Sequence, residues 1–418
     1  MFTSNIFTCQ CLQTEASQLR LMSGSDVSTC RILDGVSTQT WSPGAGAALP
    51  VAIEVLRRGP ISRAEIARRL GLSHASLSRL CAPLLDRGII HDVGEHSDGK
   101  VGRPSRLLDV DAASHRFLGL KVRESEVIGA ITDLRGDVLA TRTLEIVDRA
   151  PAAVLERIVA IHDELGREHP IAGIGIGIGG STVGRRIVRL ARFLGWEDVP
   201  LADLVEAATG APTLVENDVV ALCEYEDWFG FARNDDRFAV VTLGIAIGFG
   251  LVVDGHPIVD EDYGLGLVGH WPMDPHGPLC ALGHRGCAAA LLDADAIVRY
   301  AGEAHGRPVG YDEVVALAEA GDPAARRILG DAARGLGILL AAVCNLALPE
   351  RIVIAGEGVG IARWGAEPML ASLRAHRDAR AHTPPIDFAA GDNVEWSRGA
   401  AVLAIQAFVR GDAATGTA

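Results

Sequence analysis

Three short amphipathic segments follow one another from residue 49. Leu49, Ala52, Ile53 and Leu56 recur at helical spacing, and Arg57-Arg58-Gly59-Pro60 ends that segment. Ser62-Arg63-Ala64-Glu65 has the form of a capping box. In it the Ser62 hydroxyl accepts an orphan backbone N–H and Glu65 reaches back to the cap. Ile66 and Leu70 form the inner stripe of this second helix. Gly71-Leu72-Ser73 is a three-residue turn, and Ser73 caps a third helix that carries Leu77 and Leu80 inward. Pro83 falls in the last turn of that helix and predicts a kink or a stop. Two short strands, 89–93 and 106–110, then flank a polar loop with Gly102-Arg103-Pro104 at its base.

Beyond residue 117 strands and helices alternate. Residues 118–122, 127–132 and 138–145 read as a three-stranded meander, followed by a helix over 151–168 and the continuous apolar strand Ile171–Ile178. Leu214-Val215 leads into a helix, and 239–242 with 248–253 forms a strand pair. A long helix at 323–346, the strand Arg351–Ala355 and a helix at 398–409 complete the pattern. This is an α/β domain with mixed sheets. Before residue 48 the chain is Ser/Thr/Gly-rich and aperiodic. The expected organisation is a weakly structured extension at 1–47, a winged helix-turn-helix at 48–112 and the α/β domain at 113–418.

Charge sharpens this division. The whole chain carries a net −14, yet residues 49–109 hold nine Arg and one Lys against seven acids, a net +3. A mildly basic module on an acidic body suits a site-specific DNA reader joined to a sensing domain. The eight cysteines are scattered and form no disulfide framework, which fits a cytoplasmic protein. The longest apolar run, 336–348, falls short of the roughly 20 residues a membrane span needs. No basic patch precedes an apolar stretch at the N-terminus, so no secretory leader is expected.

Helix, tight turn, helix and hairpin make the winged helix-turn-helix plan, whose third helix enters the major groove of operator DNA. The residues placed to face DNA are Ser73, His74, Ala75, Ser76, Ser78 and Arg79. The first five are small or hydrogen-bonding, and Arg79 reaches guanine or phosphate. Arg103 is placed to enter a minor groove.

Six stretches of the α/β domain resemble the ROK family of bacterial repressors and sugar kinases. They are 171–180, Gly195-Trp196-Glu197-Asp198-Val199-Pro200, Glu216-Asn217-Asp218, Val268-Gly269-His270, the loop from Cys280 to Cys287, and 349–356. The resemblance covers about residues 49–410. It implies a two-lobed, actin-like fold with a sugar cleft between the lobes, assembled as a homodimer or homotetramer. The chain departs from the kinase pattern at two places. The family's Asp-x-Gly-Gly-Thr loop reads Lys121-Val122-Arg123-Glu124-Ser125, and its second phosphate loop reads Gly244-Ile245-Ala246-Ile247-Gly248. Phosphate cradling needs glycines whose N–H groups can approach the anion. No ATP binding and no enzyme activity are therefore expected.

The resemblance assigns Asp218 to the family's catalytic base, Asn217 to its sugar-contacting amide, and His270 to a histidine that touches both sugar and metal. Phe193, Leu267 and Ala289 replace polar family contacts, so the expected effector is a sugar-like molecule less polar than free glucose. The resemblance also implies a Cys₃His zinc site. Here His270, Cys280 and Cys287 remain, Leu282 supplies no ligand, and His284 is available to complete a Cys₂His₂ set. A structural zinc and a metal-free loop with reduced thiols both stay open.

The favoured reading is a one-component regulator, a repressor responding to a sugar-like molecule or a partner. A sugar kinase with an added DNA-binding module is the alternative. A constitutive DNA-binding protein whose second domain only oligomerises is a third.

Overall fold

The structure, a computed structural model, describes residues 46–96, 105–260 and 262–411. The expected extension at 1–47 lies almost wholly outside them, and Gly102-Arg103-Pro104 lies outside them entirely.

The first module comprises α1 (Leu49–Arg58), β1 (Ile61–Ser62), α2 (Arg63–Arg69), α3 (His74–Asp86), β2 (His91–His96) and β3 (Ser105–Asp109). The strands form one antiparallel sheet in the order β1-β3-β2. Ser62 caps α2 by accepting from Glu65 N–H at 3.2 Å. The reciprocal half of the capping box does not form, because the Glu65 carboxylate accepts instead from Arg68 and Arg69 one turn on. Gly71 has φ +62, with open space around the position of a Cβ. Its role is therefore the left-handed turn between α2 and α3, and steric room is not the reason for it. Of the kink or stop expected at Pro83, the stop does not occur. α3 continues to Asp86 because Cys81 and Leu84 are buried on either side of the proline. That burial outweighs the one ladder hydrogen bond lost.

Two five-stranded sheets follow, with the same internal order. The first uses β4 (Arg116–Val122), β5 (Glu126–Thr132) and β6 (Val138–Glu145) as the meander. After α4 (Pro151–Leu165) comes β7 (Ile171–Ile178). A small antiparallel sheet of β8 (Ser181–Val183), β9 (Ile187–Ala191) and β10 (Trp196–Val199) intervenes. Then come α5 (Leu201–Thr209), β11 (Thr213–Asn217) and α6 (Asp218–Trp228). The second sheet takes β12 (Arg237–Thr242), β13 (Gly248–Val253) and β14 (His256–Pro257). It is continued after α7 (Ala288–Leu292), α8 (Ala294–His305), α9 (Tyr311–Glu319) and α10 (Pro323–Ala347) by β15 (Arg351–Ala355). Last come α11 (Val359–Trp364), α12 (Ala366–Ala375), β16 (Ile386–Phe388) and α13 (Asn393–Arg410). The orders are β11-β7-β4-β5-β6 and β14-β13-β12-β15-β16. In each, three antiparallel strands in sequence are extended by two parallel ones. This duplication is the two-lobed, actin-like layout expected from the resemblance.

α13 lies directly on the first sheet. A Cβ on Gly119 or Gly175 would fall 1.8 Å from the Ser397 or Ala400 carbonyl oxygen, so only glycine permits that approach. α10 is a 25-residue helix, long and apolar enough by composition to cross a membrane, although the apolar run read from the sequence was shorter. Its apolar face is buried, from Ala325 and Leu329 to Val343 and Cys344, so it serves as a core helix of the second lobe.

The first module is not an independent bead on this body. One apolar core runs without interruption from Val51, Leu56, Leu77 and Leu84 to Phe117, Trp228, Val402 and Val409. Arg135, from the turn after β5, donates to the Leu56 and Val55 carbonyls at the C-terminal end of α1 and pairs with Asp109 of β3. A cation at the negative end of a helix dipole is favourable, and here it supplies Leu56 with the donor that Pro60, having no N–H, cannot give.

Candidate functional site

α3 presents one face inward and the other to solvent. Leu77 is buried, whereas Ser73, His74, Ala75, Ser78 and Arg79 are exposed and Ser76 is half-buried. Ser73 caps the helix, its hydroxyl accepting from Ser76 N–H at 3.2 Å. The six residues expected to face DNA thus share the open side of the helix's first two turns. Arg79 has no acidic partner among the described residues. Arg103 lies outside the described residues.

The parallel strands of both sheets end at one cavity of 430 Å³. Its walls include Lys121 near the end of β4, Asn217 at the end of β11, Thr242 at the end of β12 and Asp218 at the start of α6. Ligands of open α/β sheets bind outside the carboxyl ends of the strands. The rest of the wall is largely apolar, including Phe193, Ile245, Ile247, Leu265, Leu267 and Val268.

Lys121 is buried, and its ammonium forms an ion pair with the Asp218 carboxylate. It also lies 4.7 Å from the centre of the Trp396 ring. Asp218 is therefore not a free base. Asn217 is the N-cap of α6. Its side-chain oxygen accepts from Val219 N–H at 2.9 Å and Val220 N–H at 3.3 Å, and its amide nitrogen donates to Gly180 O at 2.8 Å. An Asn amide has two donor hydrogens, so one remains for a ligand.

The second phosphate loop carries another departure that sequence reasoning missed. Position Gly244 faces the Glu357 carboxyl group, 2.9 Å from where a Cβ would stand. Glu357 in turn accepts from Arg123 at 2.8 Å, and Arg123 also donates to Asn393 at 2.7 Å. A carboxylate thus sits against the loop that would cradle phosphate in a kinase. The signal available in the sequence was an acid between two glycines, Gly356-Glu357-Gly358, directly after a buried strand. Trp396 and Tyr263, also on the cavity wall, gave no such signal.

His270, expected as both an effector contact and a metal ligand, is not among the residues lining this cavity. The short 3₁₀ turn Leu267–His270 gives Leu267 and Val268 to the cavity and turns His270 toward the cysteine loop. Cys280 Sγ lies 3.8 Å from His270 Nδ1 and 3.8 Å from His284 Nδ1, and Cys287 Sγ lies 3.9 Å from His270 Nδ1. Ligand atoms around a tetrahedral zinc at its usual bond lengths stand about 3.3–3.8 Å apart; His270, Cys280 and His284 hold their ligand atoms within 4.8 Å of one another, and Cys287 approaches this group from the His270 side. Burial opposes ionisation of Cys280. It is outweighed by the backbone N–H groups of His284, Leu282 and Gly283 and by the Cys287 thiol, which hold the Cys280 thiol below its ordinary range. A thiol biased toward thiolate is what a metal takes.

A family model described as ROK family matches residues 118–407, and the chain belongs to the ROK family. It is 26% identical over 312 residues to the DNA-binding transcriptional repressor Mlc of Escherichia coli (strain K12), covering 71% of this chain and 77% of the repressor. It is 32% identical over 280 residues to a glucokinase of Thermotoga maritima, covering 62% of this chain and 83% of the kinase. A solved structure of a ROK family transcriptional regulator, a homolog of the E. coli Mlc protein, is similar with a TM-score of 0.72. Its identity is 24%, and the match covers 90% of this chain and 97% of that one.

Proposed function

We propose that this protein is a DNA-binding transcriptional regulator of the ROK type, a repressor whose cavity takes a sugar-like effector and transfers no phosphate. The observation that carries the loss of kinase chemistry is the Lys121–Asp218 ion pair. A carboxylate whose oxygen is engaged by a buried ammonium is not presented to a sugar hydroxyl as a proton acceptor while the pair holds. The Glu357 carboxylate, paired with Arg123, also stands against Gly244 of the loop that matches a phosphate cradle. The repressor relative and the open, uncompensated face of α3 support DNA binding through a winged helix-turn-helix over residues 48–112, with His74, Ser78 and Arg79 toward the bases. The body at 113–418 would sense the effector and join copies into a homodimer or homotetramer.

His270, Cys280, His284 and Cys287 would hold a structural zinc. It would tie the cysteine loop to the 3₁₀ turn bordering the cavity and leave no open position for chemistry. The five described cysteines stand as free thiols, which suits work in the cytoplasm.

The glucokinase relative keeps a sugar kinase with an added DNA-binding module as the second reading. One experiment separates them. The purified chain is mixed with fragmented genomic DNA for recovery of bound sites, and in parallel with MgATP and a hexose panel. Recovery of discrete sites without sugar phosphate is expected. Phosphorylation abolished by Asp218→Asn would overturn the proposal.

A further inference from the structure

α6 and α13 both begin at the cavity and end at the first module. α6 starts with Asp218, paired with Lys121, and ends with Asp227 and Trp228. α13 carries Trp396 under the Lys121 ammonium and ends with Arg410. At the far end Arg57 of α1 pairs with Asp227 at 3.1 Å, and the guanidinium groups of Arg57 and Arg410 both lie against the Trp228 ring. Arg58 extends this anchor by donating to the Arg233 carbonyl at 2.6 Å.

The two helices are joined along their length. A Cβ on Gly399 would stand 3.2 Å from the Ala221 backbone, so the helices touch there. Arg398 packs over the Tyr225 ring, and Gln406 donates to Glu224 at 2.8 Å. Every residue of α6 from Val219 to Trp228 is buried. A helix packed on all sides cannot bend to absorb a displacement, because interiors are close-packed and shift between discrete arrangements. Ten residues of helix span about 15 Å, so a movement at Asp218 reappears at Asp227.

We propose that α6 and α13 together form the link by which occupancy of the cavity repositions α1. Breaking the Lys121–Asp218 pair is the input and the Arg57–Asp227 anchor is the output. This rests on the regulator reading for its purpose, but its test needs neither DNA nor effector.

The test is amide hydrogen exchange by mass spectrometry on the full chain. Wild type, Lys121→Met, Arg57→Ala and the double variant are compared. Groups more than about 7–10 Å apart normally act additively. Lys121→Met is expected to change exchange in α1 and α3 by about threefold or more while α4 keeps its wild-type rates. In the double variant that change should vanish from α3, leaving the pattern of Arg57→Ala alone. A change confined to the cavity wall, an equal change in α4, or additive effects in the double variant would each overturn the link. If Lys121→Met does not fold, Asp218→Asn removes the same charge pair and is read by the same criteria. A negative result leaves the regulator reading standing, since that reading is decided by recovery of DNA sites. Coupling in a chain that recovers no DNA would sink the regulator reading alone.

Discussion

The ammonium of Lys121 rests between the carboxylate of Asp218 and the ring of Trp396, at the point where the first strand of the first lobe meets the first turn of α6. The two charged residues are 97 positions apart in the chain. The ROK resemblance places metal- and phosphate-organising chemistry at the first and the catalytic base at the second. Here each neutralises the other.

Removing one partner should cost more than removing both. Asp218→Ala leaves Lys121 buried without a counter-charge, and such a loss typically destabilises by about 3–5 kcal/mol. Lys121→Met combined with Asp218→Leu exchanges the pair for apolar groups and should fall much closer to wild type. Urea midpoints of the three proteins give the comparison. Equal destabilisation in the single and double variants would show that the pair is not closed in solution. A regulatory defect in Asp218→Ala must therefore be read beside its stability.

Arg79 lies on the exposed face of α3 with its charge uncompensated among the described residues. Arg79→Ala should weaken binding to a recovered operator by about 1–3 kcal/mol. Arg380→Ala, an exposed residue paired with Asp378 on the body, serves as the control and should leave binding unchanged. Gel shifts of both variants at one salt concentration settle the matter, because salt alone changes such affinities by orders of magnitude. Loss of binding in both would point to a nonspecific charge effect.

Zinc should accompany the purified chain at about one ion per molecule, held by two thiolates and two imidazoles. Cys280→Ser should lose it and lower the melting temperature, and chelator should do the same to wild type but not to the variant. Elemental analysis of protein prepared without chelator provides the count. A zinc-free wild type that melts like the variant and takes up no added zinc would show that the thiols stand alone.

Glu226 is buried in α6 with one carboxylate oxygen lacking any partner, the other accepting from Phe231 N–H at 2.8 Å. Burial pushes its carboxyl up to about 7 against the opposing Phe231 N–H and Arg398, with Glu395 and Asp387 adding to the rise. The folded state therefore holds this proton more tightly than the unfolded chain, whose carboxyl titrates near 4.5. Stability is fully present below that lower value and falls as pH rises toward 7. Glu226→Gln keeps an acceptor for Phe231 and removes the loss. It should match wild type near pH 4.5 and exceed it at pH 8 by up to about 3 kcal/mol. Urea unfolding at several pH values measures the difference. A gap that does not grow with pH would assign the titration elsewhere.

Much of the architecture was legible because its causes are local. Residues 171–178 and 352–355 are runs without a polar side chain, and they lie in strands with the expected bounds, Ile171–Ile178 and Arg351–Ala355. The Ser73 cap and the Gly71 turn act within a few residues, so the start of α3 could be read from them. Local signals failed where a neighbour outcompeted them. Glu65 had a cap in reach but two arginines closer to its carboxylate, and Pro83 sat in a helix whose flanking side chains were already committed to the core.

The sequence by itself determined where the chain departs from the kinase pattern, since a lysine in place of an aspartate and an alanine in a glycine loop can be seen without coordinates. Only the tertiary structure decided what stands there instead. Gly119 and Gly175 let α13 settle onto the sheet, and that contact brings Trp396 beneath Lys121. The end of β15 carries Glu357 to Gly244, and the 3₁₀ turn carries His270 away from the cavity to the cysteines. Each of these meetings joins residues remote in the chain. Their distance is set by backbone packing, which no spacing along the sequence encodes.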